Sequence, residues 1–182
     1  MITIETDVRI ERPIEEVFAC VSDPLNFPHW NSAVEAVRKT SAGESDVGST
    51  YLMERQLPTG RAINELEILA HERPRAFAIR ATSGPTPFVY RYRFSPETGG
   101  TVVKLDAEVE LQGTAALLGR LARPAVKKGV DENFAALKEL LGHTPLQAFR
   151  PVQDRSTSAA RAAGRGGEHG PNASQDRLRS RL

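Results

Sequence analysis

The sequence is poor in the residues that most often carry chemistry or covalent cross-links. Cys20 is the only cysteine, so no disulfide forms within the chain, and its apolar neighbours Ala19 and Val21 indicate a small buried side chain rather than a nucleophile. The four histidines, at positions 29, 71, 143 and 169, show no metal-ligand spacing, and no serine lies in a GxSxG pattern. We therefore expect no metal site and no cofactor, and hydrolase and nucleotide-binding functions lack support.

Long apolar runs are missing as well. No stretch approaches the roughly 20 apolar residues that span a membrane, which predicts a protein without a transmembrane segment. The first residues alternate and carry acids early, unlike a signal peptide, so we expect a cytoplasmic location. Outside the last forty residues or so the net charge is slightly negative, and we expect no nucleic-acid partner.

Apolar and polar residues alternate along most of the chain up to residue 111, a pattern that predicts β-strands. A helix opened by Pro13 and a short aromatic helical turn, Leu25–Trp30, follow the first strand. Because short turns join the later strands, we predict an α+β fold with a curved antiparallel sheet of about seven strands. The predicted strands span residues 2–11, 33–40, 49–57, 61–71, 75–83, 86–95 and 101–111.

A long helical run, 114–141, closes the predicted folded part. Its apolar residues form two stripes that do not align on one helix, and Pro124 lies between them. We therefore predict a short helix up to about Arg123, a possible lip of a cavity, followed by the amphipathic helix Pro124–Leu141 that the sheet wraps.

The composition changes after Gly142. Residues 143–182 hold seven Arg, no Lys and three acids, and their large apolar residues are scattered. Such a segment buries too little surface to offset its ordering entropy, so we predict a folded domain over 1–142 and a disordered Arg-rich tail over 143–182.

Three segments together resemble a known family: residues 11–31 (ERPIEEVFACVSDPLNFPHWN), 65–81 (ELEILAHERPRAFAIRA) and 127–141 (KKGVDENFAALKELL). They are similar to the START-like, or SRPBCC, superfamily of helix-grip proteins, and within it to the polyketide cyclase/dehydrase and lipid-transport group. The resemblance implies a cavity between the long helix and the concave face of the sheet that takes hydrophobic or amphipathic molecules. It implies no particular reaction, because the superfamily has no universal catalytic motif.

The candidate ligand-binding residues are the aromatic and amide side chains expected on the inner faces of the sheet and helix. Each has a structural alternative: Trp30 could pin the short helix to the sheet, the tyrosines could be plain core, and Asn133 could bond a strand backbone. Arg55 shares a face of its strand with Met53 and, if it points inward, could pair with an anionic ligand, although a solvated position is the simpler interpretation. The candidates are Trp30, Tyr51, Met53, Asn64, Tyr90, Tyr92, Asn133 and Phe134.

Three functions follow from these patterns. The first is binding or carriage of a hydrophobic small molecule such as a lipid, a quinone or a polyketide-like compound. The second is a polyketide cyclase or aromatase-like enzyme, and the third is a protein-binding module like the related chaperone activators. No general base stands out on an inward face, which favours the first.

Overall fold

The computed structural model describes residues 1–57, 60–112 and 122–143. The predicted short helix before Pro124 and nearly all of the predicted tail lie outside these residues. The strands are β1 (Ile2–Ile10), β2 (Val34–Lys39), β3 (Thr50–Leu57), β4 (Gly60–Glu72), β5 (Ala76–Ala81), β6 (Phe88–Glu97) and β7 (Gly100–Val109). The helices are α1 (Ile14–Val21), a 3₁₀-helix (Pro24–His29) and α2 (Arg123–His143).

All seven strands form one antiparallel sheet in the order β1-β7-β6-β5-β4-β3-β2. From β2 to β7 each strand pairs with the next one in the chain, as short connections favour. β1 pairs with β7 across the chain, with Ile4 opposite Ala107, so the first and last strands are joined. The predicted α+β architecture, a curved open sheet with two short helices after the first strand and a long closing helix, is confirmed.

β4 is the strand whose orientation the sequence left ambiguous, because both of its faces hold apolar residues. Its first half buries Ala62, Asn64, Leu66 and Ile68. The pairing with β5 then shifts between Ile68 and Ala70, a bulge that reverses the alternation. His71 consequently points inward, with a side chain only 5% exposed. Both orientations are therefore used in one strand, on either side of the bulge.

The connection between β1 and β2 covers one end of the sheet. Pro13 precedes α1, whose inner side buries Val17 and Phe18 against the core. Asp23 caps the 3₁₀-helix, its Oδ1 accepting a hydrogen bond of 3.0 Å from the Leu25 backbone N–H. Trp30 follows directly and lies edge to face with Phe27, with ring centroids 5.3 Å apart.

α2 starts at Arg123 with Pro124 in its first turn. Backbone N–H groups in the first turn have no partner within the helix, so the missing N–H of a proline costs no helical hydrogen bond there. It ends at His143, one residue into the predicted tail. Thr6 Oγ1 of β1 donates to Asp131 Oδ1 at 2.9 Å, and Arg12 Nε donates to the Leu141 carbonyl at 2.7 Å. The first bond joins α2 to β1, and the second joins its C-terminal end to the segment after β1. Its buried residues, which belong to the same core as the sheet, are Val130, Phe134, Leu137 and Leu141.

Candidate functional site

A small cavity lies on the inner side of the sheet, beside the 3₁₀-helix. Its volume is about 20 Å³, which is room for a single water molecule. Its walls are mainly aromatic and contain one cationic side chain and one amide. The lining residues are Phe27, Trp30, Asn31, Met53, Arg55, Phe88, Tyr90 and Tyr92.

The curvature of the sheet brings the two main walls of this cavity together. Met53 and Arg55 belong to β3, whereas Phe88 and Tyr90 belong to β6, and β4 and β5 lie between these strands. On a flat sheet, three strand spacings would separate the two backbones by about 14 Å. The Arg55 guanidinium carbon nevertheless lies 6.0 Å from the centroid of the Phe88 ring. A strongly curved sheet and a long arginine side chain together close this distance.

The aromatic wall follows the alternation of β6, whose even-numbered residues share the inner face. The Phe88 and Tyr90 rings are 4.3 Å apart between centroids, and the Tyr90 and Tyr92 rings are 6.3 Å apart. Tyr92 continues the wall to Phe134 of α2, at 6.5 Å. Burial raises the pKa of both tyrosines, that of Tyr92 well above its ordinary value, so both hydroxyls are neutral at neutral pH.

Trp30 is the wall residue contributed by the connection after the 3₁₀-helix. Only 4% of it is exposed, and its indole Nε1 is buried without a hydrogen-bond partner among the described residues. Buried indole N–H groups usually find an acceptor, because leaving a buried donor unpaired costs about 1–3 kcal/mol. An acceptor seated in the cavity would remove this deficit.

Arg55 is the one charged group of the lining. Its Nη1 donates to the Thr86 hydroxyl at 3.1 Å, and its Nε is buried without a partner among the described residues. Burial lowers the pKa of the guanidinium, and the nearby Tyr90 partly opposes this shift. Arginine nevertheless stays protonated at any physiological pH, so a positive charge faces the aromatic wall.

The structure brings five of the predicted residues to this region. Four of them, Trp30, Met53, Tyr90 and Tyr92, line the cavity, and the fifth, Phe134, is buried next to Tyr92.

Four further lining residues were not among the candidates. They are Phe27, Asn31, Arg55 and Phe88. For Arg55 the available signal was its position two residues after Met53, on the same face of β3.

The other three predicted residues lie outside the cavity lining. Tyr51 is buried in the core and donates through its hydroxyl to Ser45 Oγ at 2.7 Å. Asn133 is only partly buried at the edge of the apolar stripe of α2, and its Oδ1 accepts a hydrogen bond of 3.3 Å from the Ser32 backbone N–H. It therefore joins α2 to the loop before β2.

Asn64 is fully buried in β4 and supports the turn before β6. Its Nδ2 donates to the Ser83 carbonyl, while its Oδ1 has no partner among the described residues. Gly84 crosses directly over this amide with a φ of +87°, and an added Cβ would lie 2.5 Å from Asn64 Nδ2. Glycine is thus required there both by backbone conformation and by space.

A second concavity is an open groove of about 600 Å³ at one end of β5 and β6. It is lined by the start of α1, two prolines and two arginines, and one of these, Arg93, pairs with Asp106. None of the three buried unpaired side-chain atoms of the described residues belongs to its lining. The inner cavity is therefore the better candidate for a specific site.

Cysteine and histidine, which often carry catalysis, are absent from the described residues that line the inner cavity. Cys20 is buried in α1, and burial together with the nearby Asp23 raises the pKa of its thiol to about 12. His71 stacks on Phe18 at 5.4 Å between ring centroids. Within the described ranges, no group of three or more His, Cys, Asp and Glu side chains is arranged to hold a metal ion. In the same ranges, no helix combines the length and the hydropathy that crossing a membrane requires.

Comparison with solved structures places this architecture among known folds. A START superfamily protein from Mycobacterium smegmatis superposes with a TM-score of 0.68 at 13% identity, covering 77% of this chain and 97% of that one. Ara h 8.0201 superposes with a TM-score of 0.62 at 16% identity, covering 78% and 98%. A protein of Thermus thermophilus gives a TM-score of 0.63 at 17% identity, covering 76% and 96%. At these identities the likeness establishes the helix-grip fold.

The sequence itself matches a family model, described as polyketide cyclase / dehydrase and lipid transport, over residues 1–142. No curated protein sequence is significantly similar to the chain. The matched residues contain every strand and helix described above except for the last residue of α2, His143. The chain therefore belongs to the polyketide cyclase / dehydrase and lipid transport family, and residues 1–142 are a START-like domain of the type that binds hydrophobic ligands.

Proposed function

We propose that this protein binds or carries a hydrophobic or amphipathic small molecule, such as a lipid, a quinone or a polyketide-like compound, in its inner cavity. The observation that carries the proposal is an aromatic wall whose neighbouring hydrogen-bond donors have no acceptor among the described residues. Phe88, Tyr90 and Tyr92 supply apolar surface, while Trp30 Nε1 and Arg55 Nε are buried and unpaired among the described residues. Small-molecule sites combine apolar walls with a few polar groups in this way.

The bound molecule has to enlarge the cavity that the described residues enclose. A volume of about 20 Å³ accommodates one water, so side chains must move for a larger ligand. Met53 is suited to this movement because its unbranched thioether chain adopts several rotamers at low energy. We therefore propose a cavity that opens as the ligand enters.

The alternative functions have weaker support. A cyclase would have to act through Arg55, Tyr90 and Tyr92, because the lining of the described cavity includes no histidine or carboxylate to serve as a general base. A protein-binding module would present a continuous exposed apolar patch. The exposed large apolar residues of the described ranges belong instead to separate segments, for example Leu25, Val47 and Ile63.

Binding can be measured with N-phenyl-1-naphthylamine, a neutral apolar fluorophore. Trp30 is the only tryptophan of the chain and lines the cavity, so energy transfer from its indole to the fluorophore reports occupancy. We expect saturable binding to the full chain, with quenching of Trp30. We expect Met53→Phe, which fills the cavity, to weaken binding about tenfold, equivalent to about 1.4 kcal/mol.

The matched control is Leu52→Phe, the same kind of enlargement on the opposite face of the same strand. It should bind the fluorophore like the unaltered protein, and melting curves should show both variants folded. Absence of saturable binding to the unaltered chain, or equal weakening by the two substitutions, would contradict binding in this cavity.

A further inference from the structure

We propose that the ligand of the inner cavity carries a carboxylate, that the Arg55 guanidinium holds this carboxylate, and that the Trp30 indole N–H is the second donor. This proposal rests on the proposed function and specifies its ligand class as hydrophobic acids. The hydrocarbon part of such a molecule would lie against Met53, Phe88 and Tyr90, which share the cavity lining with both donors.

Among the described residues, Arg55 is the half-buried arginine that has no ion pair. On the outer face of the sheet, Arg80 pairs with Glu67 at 2.7 Å and Arg91 pairs with Glu108 at 2.8 Å. Arg55 has no such ion pair within residues 1–57, 60–112 and 122–143. Arg38, Arg73, Arg75 and Arg123 lack an ion pair there as well, but these four are exposed, whereas Arg55 is half-buried and has no counter-ion.

A half-buried cation without a counter-ion is unfavourable, since removing part of a charge from water costs free energy that a charged partner would offset. Contact with the Phe88 ring at 6.0 Å and one bond to the neutral Thr86 hydroxyl compensate only part of this cost. A carboxylate from the ligand would supply the missing charge. An alcohol or amide of the same size would supply only a neutral acceptor.

The unpaired edge of the guanidinium also has the donor pattern that a carboxylate requires. Nη1 is engaged by Thr86, which leaves Nε and Nη2 without partners among the described residues. These two nitrogens form one edge of the planar guanidinium and match the two oxygens of a carboxylate in parallel hydrogen bonds. Trp30, whose buried Nε1 is unpaired among the described residues, is a lining residue of the same small cavity.

One buried water is the competing occupant, because the cavity has room for it and a water molecule can accept two hydrogen bonds. The two occupants predict different selectivity. A site completed by water has no preference between an acid and the matched alcohol, whereas a site completed by a carboxylate prefers the acid.

The test is displacement of bound N-phenyl-1-naphthylamine from the full chain by matched pairs of compounds. Dodecanoate is compared with dodecan-1-ol, and 4-phenylbutanoate with 4-phenylbutan-1-ol, so that fatty acids and aryl acids are distinguished. We expect at least one acid to displace the fluorophore about tenfold better than its alcohol. Arg55→Gln should abolish this preference, because it should weaken displacement by the acid much more than displacement by the alcohol. Arg55→Lys, which keeps the charge but loses the paired edge, should be intermediate.

Arg91→Gln is the matched control, because it removes a paired arginine from the outer face, and it should retain the preference. Equal displacement by acid and alcohol, or a preference that survives Arg55→Gln, would overturn the proposal and leave the binding function standing. Bound fluorophore that neither class displaces would overturn it as well. A chain that does not bind the fluorophore at all would refute the proposed function and this inference with it.

Discussion

At the residue scale, the buried polar side-chain atoms divide into those with and those without a hydrogen-bond partner among the described residues. The Thr101 hydroxyl donates to the Arg12 carbonyl at 2.8 Å, and Ser49 Oγ donates to the Glu44 carbonyl at 3.3 Å, as buried hydroxyls in a folded protein normally do. Among the described residues only three buried side-chain atoms lack a partner, and they belong to Trp30, Arg55 and Asn64. Two of these three residues line the inner cavity, which is why we place the ligand there.

His71 is the buried titratable group with consequences for stability. Burial and the nearby Arg73 lower its pKa below the ordinary value, while Asp46 and Asp23 partly oppose the shift. Between the folded pKa and the unfolded value of about 6.5, the unfolded chain therefore binds more protons than the native state. His71 thus leaves the fold undisturbed above pH of about 6.5 and destabilises it progressively as the pH falls below that value.

We predict that the free energy of unfolding decreases as the pH is lowered from about 7 to about 5, and that His71→Gln reduces this slope. One group contributes at most about 1.4 kcal/mol per pH unit. Urea titrations at several pH values measure this slope in the unaltered protein and in His71→Gln. If His71→Gln leaves the pH dependence of the free energy of unfolding unchanged, the prediction that the lowered pKa of His71 causes part of it is wrong.

At the scale of elements, the packing of α2 on the sheet is stabilised by the apolar side chains that the helix buries. Leu137 is fully buried between the helix and the sheet, whereas its neighbour Lys138 is exposed. We predict that Leu137→Ala lowers the free energy of unfolding by about 2–5 kcal/mol through lost contacts and a new cavity. Lys138→Ala should change it by less than about 0.5 kcal/mol. Urea denaturation distinguishes the two outcomes, and equal small effects would mean that α2 is not packed on the sheet as described.

The elements themselves were largely predictable, because alternation and helical spacing are local properties of the sequence. The inner faces of β6 and β7 follow the predicted pattern, with Tyr92 and Leu105 buried. β4 could not be assigned one orientation, since the bulge after Ile68 depends on its pairing with β5. Asn133 was expected within the apolar stripe of α2 but lies at its edge, where it bonds the Ser32 backbone.

At the scale of the whole molecule, the architecture and the family could be predicted, but the composition of the site could not. Arg55 and Phe88 are more than thirty residues apart and belong to strands that are not neighbours. Their proximity arises from the length of the arginine side chain and from the curvature of the complete sheet, which local patterns do not encode. The predicted tail and the predicted lip before Pro124 lie outside the described residues, so both stay predictions.

The central claim, that a hydrophobic ligand occupies the inner cavity beside Trp30, is tested most directly by nuclear magnetic resonance. The chain has one tryptophan, so a ¹⁵N correlation spectrum of the full protein contains a single indole N–H signal, that of Trp30. We predict that N-phenyl-1-naphthylamine shifts this signal saturably, because the unpaired Nε1 gains a new neighbour. An indole signal that stays fixed, while amides of the outer sheet face or none at all respond, would contradict the account.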